Sequence, residues 1–183
     1  MNNNIKQFVR KNILELSPYS SAREEFSGNE GIFLDANENP YGVYNRYPDP
    51  WQIQLKQKLA EIKSCKTNQI FIGNGSDEVI DLAFRIFCEP NLDKALTFSP
   101  TYGMYQVSAE INAVELIQIP LNNDFQIYKK RVENYLNDKN LKLIFICSPN
   151  NPTGNLLNAD DIYLILQNFT GVVMIDEAYI DFA

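Results

Sequence analysis

Short apolar runs alternate with segments of helical periodicity along most of the chain. Runs of strand length lie around Ala95–Phe98, Val114–Leu121, Leu143–Cys147 and Val172–Ile175. In the segments between them, apolar residues recur every three or four positions, which is typical of amphipathic helices. Strands that alternate with helices favour βαβ units, whose strands are parallel. We therefore predict an α/β fold, a mostly parallel sheet with helices on both faces.

The first fifty residues follow a different pattern. Apolar residues at helical spacing predict a short helix over residues 4–15, ending before Pro18. The segment Ser17–Pro48 is rich in turn-forming residues, with one brief predicted strand at Ile32–Leu34. A connector of that length is usually functional or disordered, and its tyrosines and asparagines favour an ordered loop that forms part of a site. We divide the chain into an N-terminal helix and arm, residues 1–48, and a larger domain, residues 49–183.

The larger domain begins with two helix signals. Asp49 and Pro50 predict a helix start, with Asp49 as the cap. Further on, a predicted strand at Ile70–Ile72 leads through Gly73–Glu78 into a second helix. Free N–H groups and the positive end of the helix dipole make such a turn an anion site. Alternatively the turn is only structural, with Ser76 capping the helix, and the sequence leaves both interpretations open.

Composition excludes several classes of function. The chain has 183 residues, 45% of them hydrophobic, and a net charge of −7, which argues against nucleic acid or an anionic membrane as a partner. It has no histidine, which excludes His-dependent catalytic triads and His-based metal sites, and we predict no metal site. Its three cysteines are widely spaced and predict buried, reduced thiols. No apolar run is long enough to span a bilayer, so we predict a cytoplasmic protein.

Polar side chains follow two consecutive predicted strands within Leu141–Tyr179. The turn Ser148–Gly154 comes after the first strand, and Asp176–Tyr179 comes after the second. In open α/β sheets, ligands bind beyond the carboxyl ends of the strands. We therefore expect Asn151 and Asp176 to share one crevice.

Each half of this pattern has a simpler alternative. The Asn-rich segment is good turn chemistry by itself, and an apolar strand ending in Asp-Glu resembles the second motif of phosphate-loop NTPases. The NTPase interpretation fails because no glycine of this chain is followed by lysine. An amide, an acid and a phenol remain, at Asn151, Asp176 and Tyr179. Pyridoxal phosphate would use all three, because the acid would keep the ring nitrogen protonated while the amide and phenol bind the phenolate oxygen.

Six motifs follow one another along almost the whole chain. They are Asn37–Pro40, Arg46–Pro48, Gly73–Glu78, Pro100–Tyr105, Ser148–Gly154 and Asp176–Tyr179. Together they resemble the histidinol-phosphate aminotransferases, enzymes of fold type I that depend on pyridoxal phosphate. The resemblance implies that residues 49–183 form part of the large cofactor-binding domain of such an enzyme.

The resemblance also implies roles for individual residues at the cofactor. Three consecutive residues would bind its phosphate, mainly through backbone N–H groups: Gly75, Ser76 and Asp77. Tyr102 would stack on the pyridine ring, although an aromatic residue at a strand end is also common as simple packing. Asn151 and Tyr179 would contact the phenolate oxygen, and Asp176 would pair with the ring nitrogen.

Other implied roles concern the partner subunit, the substrate and the catalytic lysine. Tyr47 resembles the tyrosine that reaches the cofactor phosphate of the neighbouring subunit, which implies a homodimer. Tyr19 and Asn37 match positions near the substrate. The family's Schiff-base lysine follows the Asp176–Tyr179 motif, and this chain ends at Ala183. We therefore assign no catalytic residue within it and expect the N-terminal part of an enzyme, inactive alone and with unpaired strand edges.

The implied reaction interconverts histidinol phosphate and imidazole-acetol phosphate with 2-oxoglutarate and glutamate, a step of histidine biosynthesis. Two alternatives stay open from the sequence. One is a related pyridoxal-phosphate enzyme such as a threonine-phosphate decarboxylase, which shares the Asn-rich and Asp-Glu-Ala elements. The other is a non-catalytic scaffold that kept the fold and lost the chemistry.

Overall fold

The structure is a computed structural model that describes residues 5–20, 25–26, 32, 34 and 36–183. The chain forms two compact units, one comprising Met1–Glu15 with Gly73–Ala183 and the other Leu16–Ile72. The predicted division at residue 48 refers to the domains of a whole enzyme, and it stays a prediction.

The larger unit is built on a parallel sheet. Its strands in the described residues are β1 (Lys94–Ser99), β2 (Glu115–Pro120), β3 (Leu141–Cys147) and β4 (Val172–Asp176). They lie in the order β2-β1-β3-β4, and every neighbouring pair is parallel. The α-helices whose bounds lie within the described residues, with α2 in the smaller unit, are α1 (Lys11–Leu14), α2 (Ile53–Lys63), α3 (Ser76–Phe87), α4 (Met104–Ile111), α5 (Lys129–Val132) and α6 (Ala159–Asn168).

The sheet has a hydrophobic core on each face. Successive strand residues point to opposite faces, so Leu96 and Ile144 join one cluster while Leu143 and Phe145 join the other. The first cluster includes Ile165 of α6, and the second includes residues of α3 and α4. The predicted fold, a mostly parallel sheet with helices on both faces, is confirmed.

The order of the strands creates a crevice. The chain leaves β1 through α4, which packs on one face, and leaves β3 through α6, which packs on the other. Adjacent parallel strands whose connections diverge in this way leave an opening beyond their carboxyl ends. The loops after β1 and β3 therefore border the natural ligand-binding position of this sheet.

The N-terminal segment differs from the single helix predicted over residues 4–15. It forms a 3₁₀ turn at Ile5–Phe8 and the short helix α1, separated by Arg10 in an extended conformation. The backbone N–H of Arg10 donates to the carbonyl of Ile86 at 2.9 Å, and its guanidinium binds both carboxylate oxygens of Glu89. Contacts with the end of α3 therefore override the local helical pattern.

The smaller unit corrects two further expectations. The carboxylate of Asp49 accepts hydrogen bonds from the N–H groups of Trp51 and Ile53. The helix α2 nevertheless begins only at Ile53, with Gln52 in the cap position, so the predicted start with Asp49 as the cap is wrong. The strand predicted at Ile70–Ile72 is wrong, since these residues form no strand and pair with none of β1 to β4. The strand predicted at Ile32–Leu34 includes residue 33, which lies outside the described residues. No helix in the described part of the chain is both long and apolar enough to cross a bilayer.

Candidate functional site

An acid closes β4 on the same face as α3 and α4. Val172 and Met174 pack against the cluster that contains these helices, and Asp176, two residues further, falls on that face by the period of the strand. Asp176 is in register with Cys147 of β3, and its carbonyl accepts the N–H of Ser148 at 2.9 Å. The backbone around the acid is therefore held by the neighbouring strand.

Both carboxylate oxygens of Asp176 have donors from this chain. The hydroxyl of Tyr105 donates to Oδ2 at 2.7 Å, and the N–H of Ala178 donates to Oδ1 at 3.1 Å. Tyr105 is fully buried, with its ring stacked on Phe145 at 5.0 Å between centroids. Burial, followed by the bond to Asp176, raises the pKa of Tyr105 far above its ordinary value. The phenol therefore remains a hydrogen-bond donor at every physiological pH.

A second tyrosine connects the end of β1 to the start of α3. The hydroxyl of Tyr102 donates to Oδ1 of Asp77 at 2.9 Å, and this bond is the main cause that raises the pKa of Tyr102. The ring of Tyr102 also contacts Tyr105 edge to face, with centroids 5.8 Å apart. Two predicted site residues, Tyr102 and Asp77, are thus in direct contact.

The first turn of α3 has no side-chain cap. Gly75 occupies the cap position with a φ of 80°, a conformation that residues with a side chain rarely adopt, and Ser76 is already the first helical residue. The interpretation in which Ser76 caps the helix is therefore wrong. Glu78 instead reaches back and accepts a hydrogen bond from the N–H of Asn74.

The loop after β3 is organised by Asn150, which precedes Asn151, the residue predicted to contact the cofactor. Asn150 is 3% exposed, and its amide oxygen accepts a hydrogen bond from the hydroxyl of Thr101 at 2.8 Å. The same amide donates to the carbonyl of Pro100 at 2.9 Å and to the hydroxyl of Thr153 at 2.7 Å. These bonds join the loops after β1 and β3 across the point where the strand order diverges.

Asn151 and Tyr179 line a common cleft of about 460 Å³, together with Pro149, Leu156 and Phe182. Its lining is largely apolar with a few polar groups, as in small-molecule sites. The structure therefore brings the predicted amide and phenol to one opening. Asp176 is not among the residues that line it, so a crevice shared by Asn151 and Asp176 stays a prediction.

Three predicted site residues belong to the smaller unit. Tyr19 and Tyr47 are 88% and 69% exposed, and Asn37 is exposed as well. The N–H of Tyr47 donates to the carboxylate of Glu38 at 3.0 Å, within the same loop. The roles of these three residues stay predictions.

Comparison with known proteins assigns the family. The sequence profile of the family described as aminotransferase class I and II matches residues 32–183. The chain belongs to the class I and II aminotransferases. The structure is similar to that of histidinol-phosphate aminotransferase from Clostridium acetobutylicum, with a TM-score of 0.65 and 26% identity, over 75% of this chain and 40% of that one.

Aminotransferase relatives of much higher identity are also found. Histidinol-phosphate aminotransferase of Parabacteroides distasonis is 53% identical over 98% of this chain, and that of Flavobacterium johnsoniae is 55% identical over 98%. In each case the chain covers 52% of the relative. It therefore spans about half the length of the curated relatives that it matches. The structure of histidinol-phosphate aminotransferase from Sinorhizobium meliloti, in complex with pyridoxal-5'-phosphate, shares the fold at a TM-score of 0.68. The two chains are 24% identical, and the match covers 75% of this chain and 38% of that one.

The sequence interpretation missed two residues that shape this candidate site. Tyr105 lies on the buried side of a short helix and looks like an ordinary core residue. Asn150 is adjacent to the more obvious candidate Asn151. A signal existed for Tyr105, since it ends the motif Pro100–Tyr105 that also contains Tyr102. No sequence signal distinguishes Asn150 from Asn151 in a turn.

Proposed function

We propose that the full-length protein, called the whole protein below, is a histidinol-phosphate aminotransferase dependent on pyridoxal phosphate. It would interconvert histidinol phosphate and imidazole-acetol phosphate with 2-oxoglutarate and glutamate, in histidine biosynthesis. The names of relatives above 50% identity support the substrate assignment. The family supports the reaction class.

The observation that carries the proposal is the Asp176 carboxylate, which lies at the end of β4 and accepts a hydrogen bond on each of its oxygens. A carboxylate in a partly dry position is the group that stabilises a protonated pyridine nitrogen. The cleft lined by Asn151 and Tyr179 offers an amide and a phenol, which suit a phenolate oxygen. The donor set of this chain therefore fits pyridoxal phosphate.

The start of α3 suits the phosphate of the cofactor. Gly75, Ser76 and Asp77 would present backbone N–H groups at the positive end of the helix dipole. Tyr102 is tied to this turn through Asp77, so its ring would lie between the phosphate position and the core. We propose that this ring stacks on the cofactor.

When bound, pyridoxal phosphate supplies an electron sink for negative charge that develops on the substrate carbon next to the amine. Asp176 would strengthen that sink by keeping the ring nitrogen protonated. Asn151 and Tyr179 would hold the ring plane in a fixed orientation through hydrogen bonds, and the apolar side chains of the cleft would limit access of water.

The assembly and location belong to the same proposal. We propose a homodimer in which Tyr47 reaches the cofactor phosphate of the neighbouring subunit, with Tyr19 and Asn37 near the substrate. We further propose that the enzyme works in the cytoplasm. Biosynthetic relatives support this location.

The test is to purify the whole protein, measure bound pyridoxal phosphate, and assay it with histidinol phosphate and 2-oxoglutarate. Formation of glutamate at a rate typical of biosynthetic enzymes would support the proposal. Decarboxylation of threonine phosphate without that transamination would replace it with the related decarboxylase. Absence of both cofactor binding and activity would favour the non-catalytic scaffold.

A further inference from the structure

The hydroxyl of Tyr105 has no role in the function proposed above, yet it makes the shorter of the two hydrogen bonds to Asp176 described here. We propose that Tyr105 is a positioning residue that sets the orientation of the Asp176 carboxylate toward the cofactor's ring nitrogen. This inference rests on the proposed function. It assigns Tyr105 an indirect action, through Asp176.

The ring of Tyr105 is rigidly held. It has no solvent exposure, stacks on Phe145 with planes 20° apart, and meets the ring of Tyr102 at an interplanar angle of 89°. Phe145 in turn packs against Phe84 of α3 at 5.2 Å. A side chain fixed on these sides cannot follow a carboxylate that moves, so the hydroxyl defines a fixed position for Oδ2 of Asp176.

Two donors then determine the plane of the carboxylate. Tyr105 holds Oδ2 from the helix side, and the Ala178 N–H holds Oδ1 from the turn that follows β4. With both in place, rotation about the bond between Cβ and Cγ of Asp176 is restricted. Without the hydroxyl, one oxygen is unrestrained, and a rotated carboxylate makes a poorer bond to the ring nitrogen.

The decisive experiment separates this role from simple packing by using a cofactor that lacks the ring nitrogen. Dissociation constants are measured for the whole protein, freed of cofactor, with pyridoxal phosphate and with its 1-deaza analogue, in which carbon replaces the ring nitrogen. The ratio of the two constants measures what the ring nitrogen contributes to binding. Tyr105→Phe keeps the ring and should lower this preference for pyridoxal phosphate by about tenfold, the usual scale for one bond to a charged group.

Thr97→Val is the matched control. Thr97 is as buried as Tyr105, and its hydroxyl donates to the carbonyl of Phe145 at 3.2 Å, without contacting Asp176. This variant should lose stability but keep the wild-type preference for pyridoxal phosphate. If Thr97→Val lowers the preference as much as Tyr105→Phe does, the effect is general to the core and the inference is overturned.

A double variant completes the test. In the Asp176→Asn background, Tyr105→Phe should cause no further change in the preference, because the two residues act through one bond. If Tyr105→Phe does not fold, Tyr105→Met removes the same hydroxyl with a flexible apolar side chain and should give the same result. An unchanged preference in the single variant overturns the role of Tyr105 alone. A wild-type protein that binds both compounds equally overturns instead the proposed role of Asp176.

Discussion

At the scale of single residues, the site depends on how one carboxylate is surrounded. The period of β4 places Asp176 on one face of the sheet, and a phenol from α4, 71 positions earlier in the chain, donates a hydrogen bond to its carboxylate. The aromatic contacts from Phe84 through Phe145 and Tyr105 to Tyr102 run from the core to the first turn of α3. Tyr102 and Tyr105 therefore make both aromatic packing contacts and hydrogen bonds to carboxylates.

Asp176→Asn tests the acid directly. An amide cannot supply the negative charge that keeps the ring nitrogen protonated, so we expect turnover of the whole protein to fall by at least about a hundredfold. The fold should survive, because the amide has nearly the same shape. Steady-state assays and circular dichroism measure both effects. The control is Asp124→Asn, an exposed carboxylate in the loop before α5. Near-normal turnover in Asp176→Asn would refute the assignment.

The raised pKa of Tyr105 predicts a pH dependence of stability. Its ordinary value is 10, and burial and the bond to Asp176 raise it in the folded state. The contribution of the hydroxyl is therefore complete below pH 10 and decreases as the pH rises toward the folded pKa. At pH 8 the free energy of unfolding of the wild type should exceed that of Tyr105→Phe by about 2 kcal/mol. At pH 10.5 this difference should be smaller by about 1 kcal/mol. Urea unfolding at both pH values measures this gap, and a gap that widens would contradict the prediction.

At the scale of elements, the loop after β3 is more constrained than its turn-like sequence suggests. Asn150 bonds Pro100 and Thr101 after β1 as well as Thr153 in its own loop. These bonds connect the loop that contains Asn151 to the loop after β1. The N-terminal segment shows the same principle, since Arg10 gives up helical geometry in order to bind the end of α3.

Asn150→Asp tests this loop. The substitution keeps the shape but removes the two amide donors and places a carboxylate against the carbonyl of Pro100, in a position that is 3% exposed. We expect a loss of about 2 to 3 kcal/mol in stability and faster hydrogen exchange at residues 149–155. Exposed Asn134→Asp is the control and should change neither measurement. If exchange in this loop stays at the wild-type rate, Asn150 does not organise it.

At the scale of the whole molecule, the described sheet pairs β2 and β4 on one side only, and the chain spans about half of its relatives. An unpaired strand edge offers hydrogen-bonding groups to another segment. The smaller unit carries Tyr19, Asn37 and Tyr47, all exposed. The roles predicted for them, near the substrate and at a neighbouring subunit, are to be tested in the whole protein.

The proposed action of Tyr47 across subunits is tested with mixed dimers. Tyr47→Phe is combined with a variant of the family's cofactor-bonding lysine, wherever it lies in the whole protein. A heterodimer then keeps one site with both wild-type groups, so an equal mixture should recover about a quarter of wild-type activity. Tyr44→Phe, a fully exposed neighbour, is the control partner. Verified subunit exchange without recovery above the separate variants would contradict the prediction.

The sequence by itself determined the alternation of strands and helices and the position of Asp176 at a strand end, because these depend on local periodicity and turn chemistry. The tertiary structure alone decided contacts between distant segments. It selected Tyr105 as the partner of Asp176, made Asn150 the centre of its loop, broke the N-terminal helix at Arg10, and left Ile70–Ile72 unpaired. Each of these depends on which element packs beside another. A hydrophobic pattern that repeats every three or four residues does not specify which distant segment will pack against it.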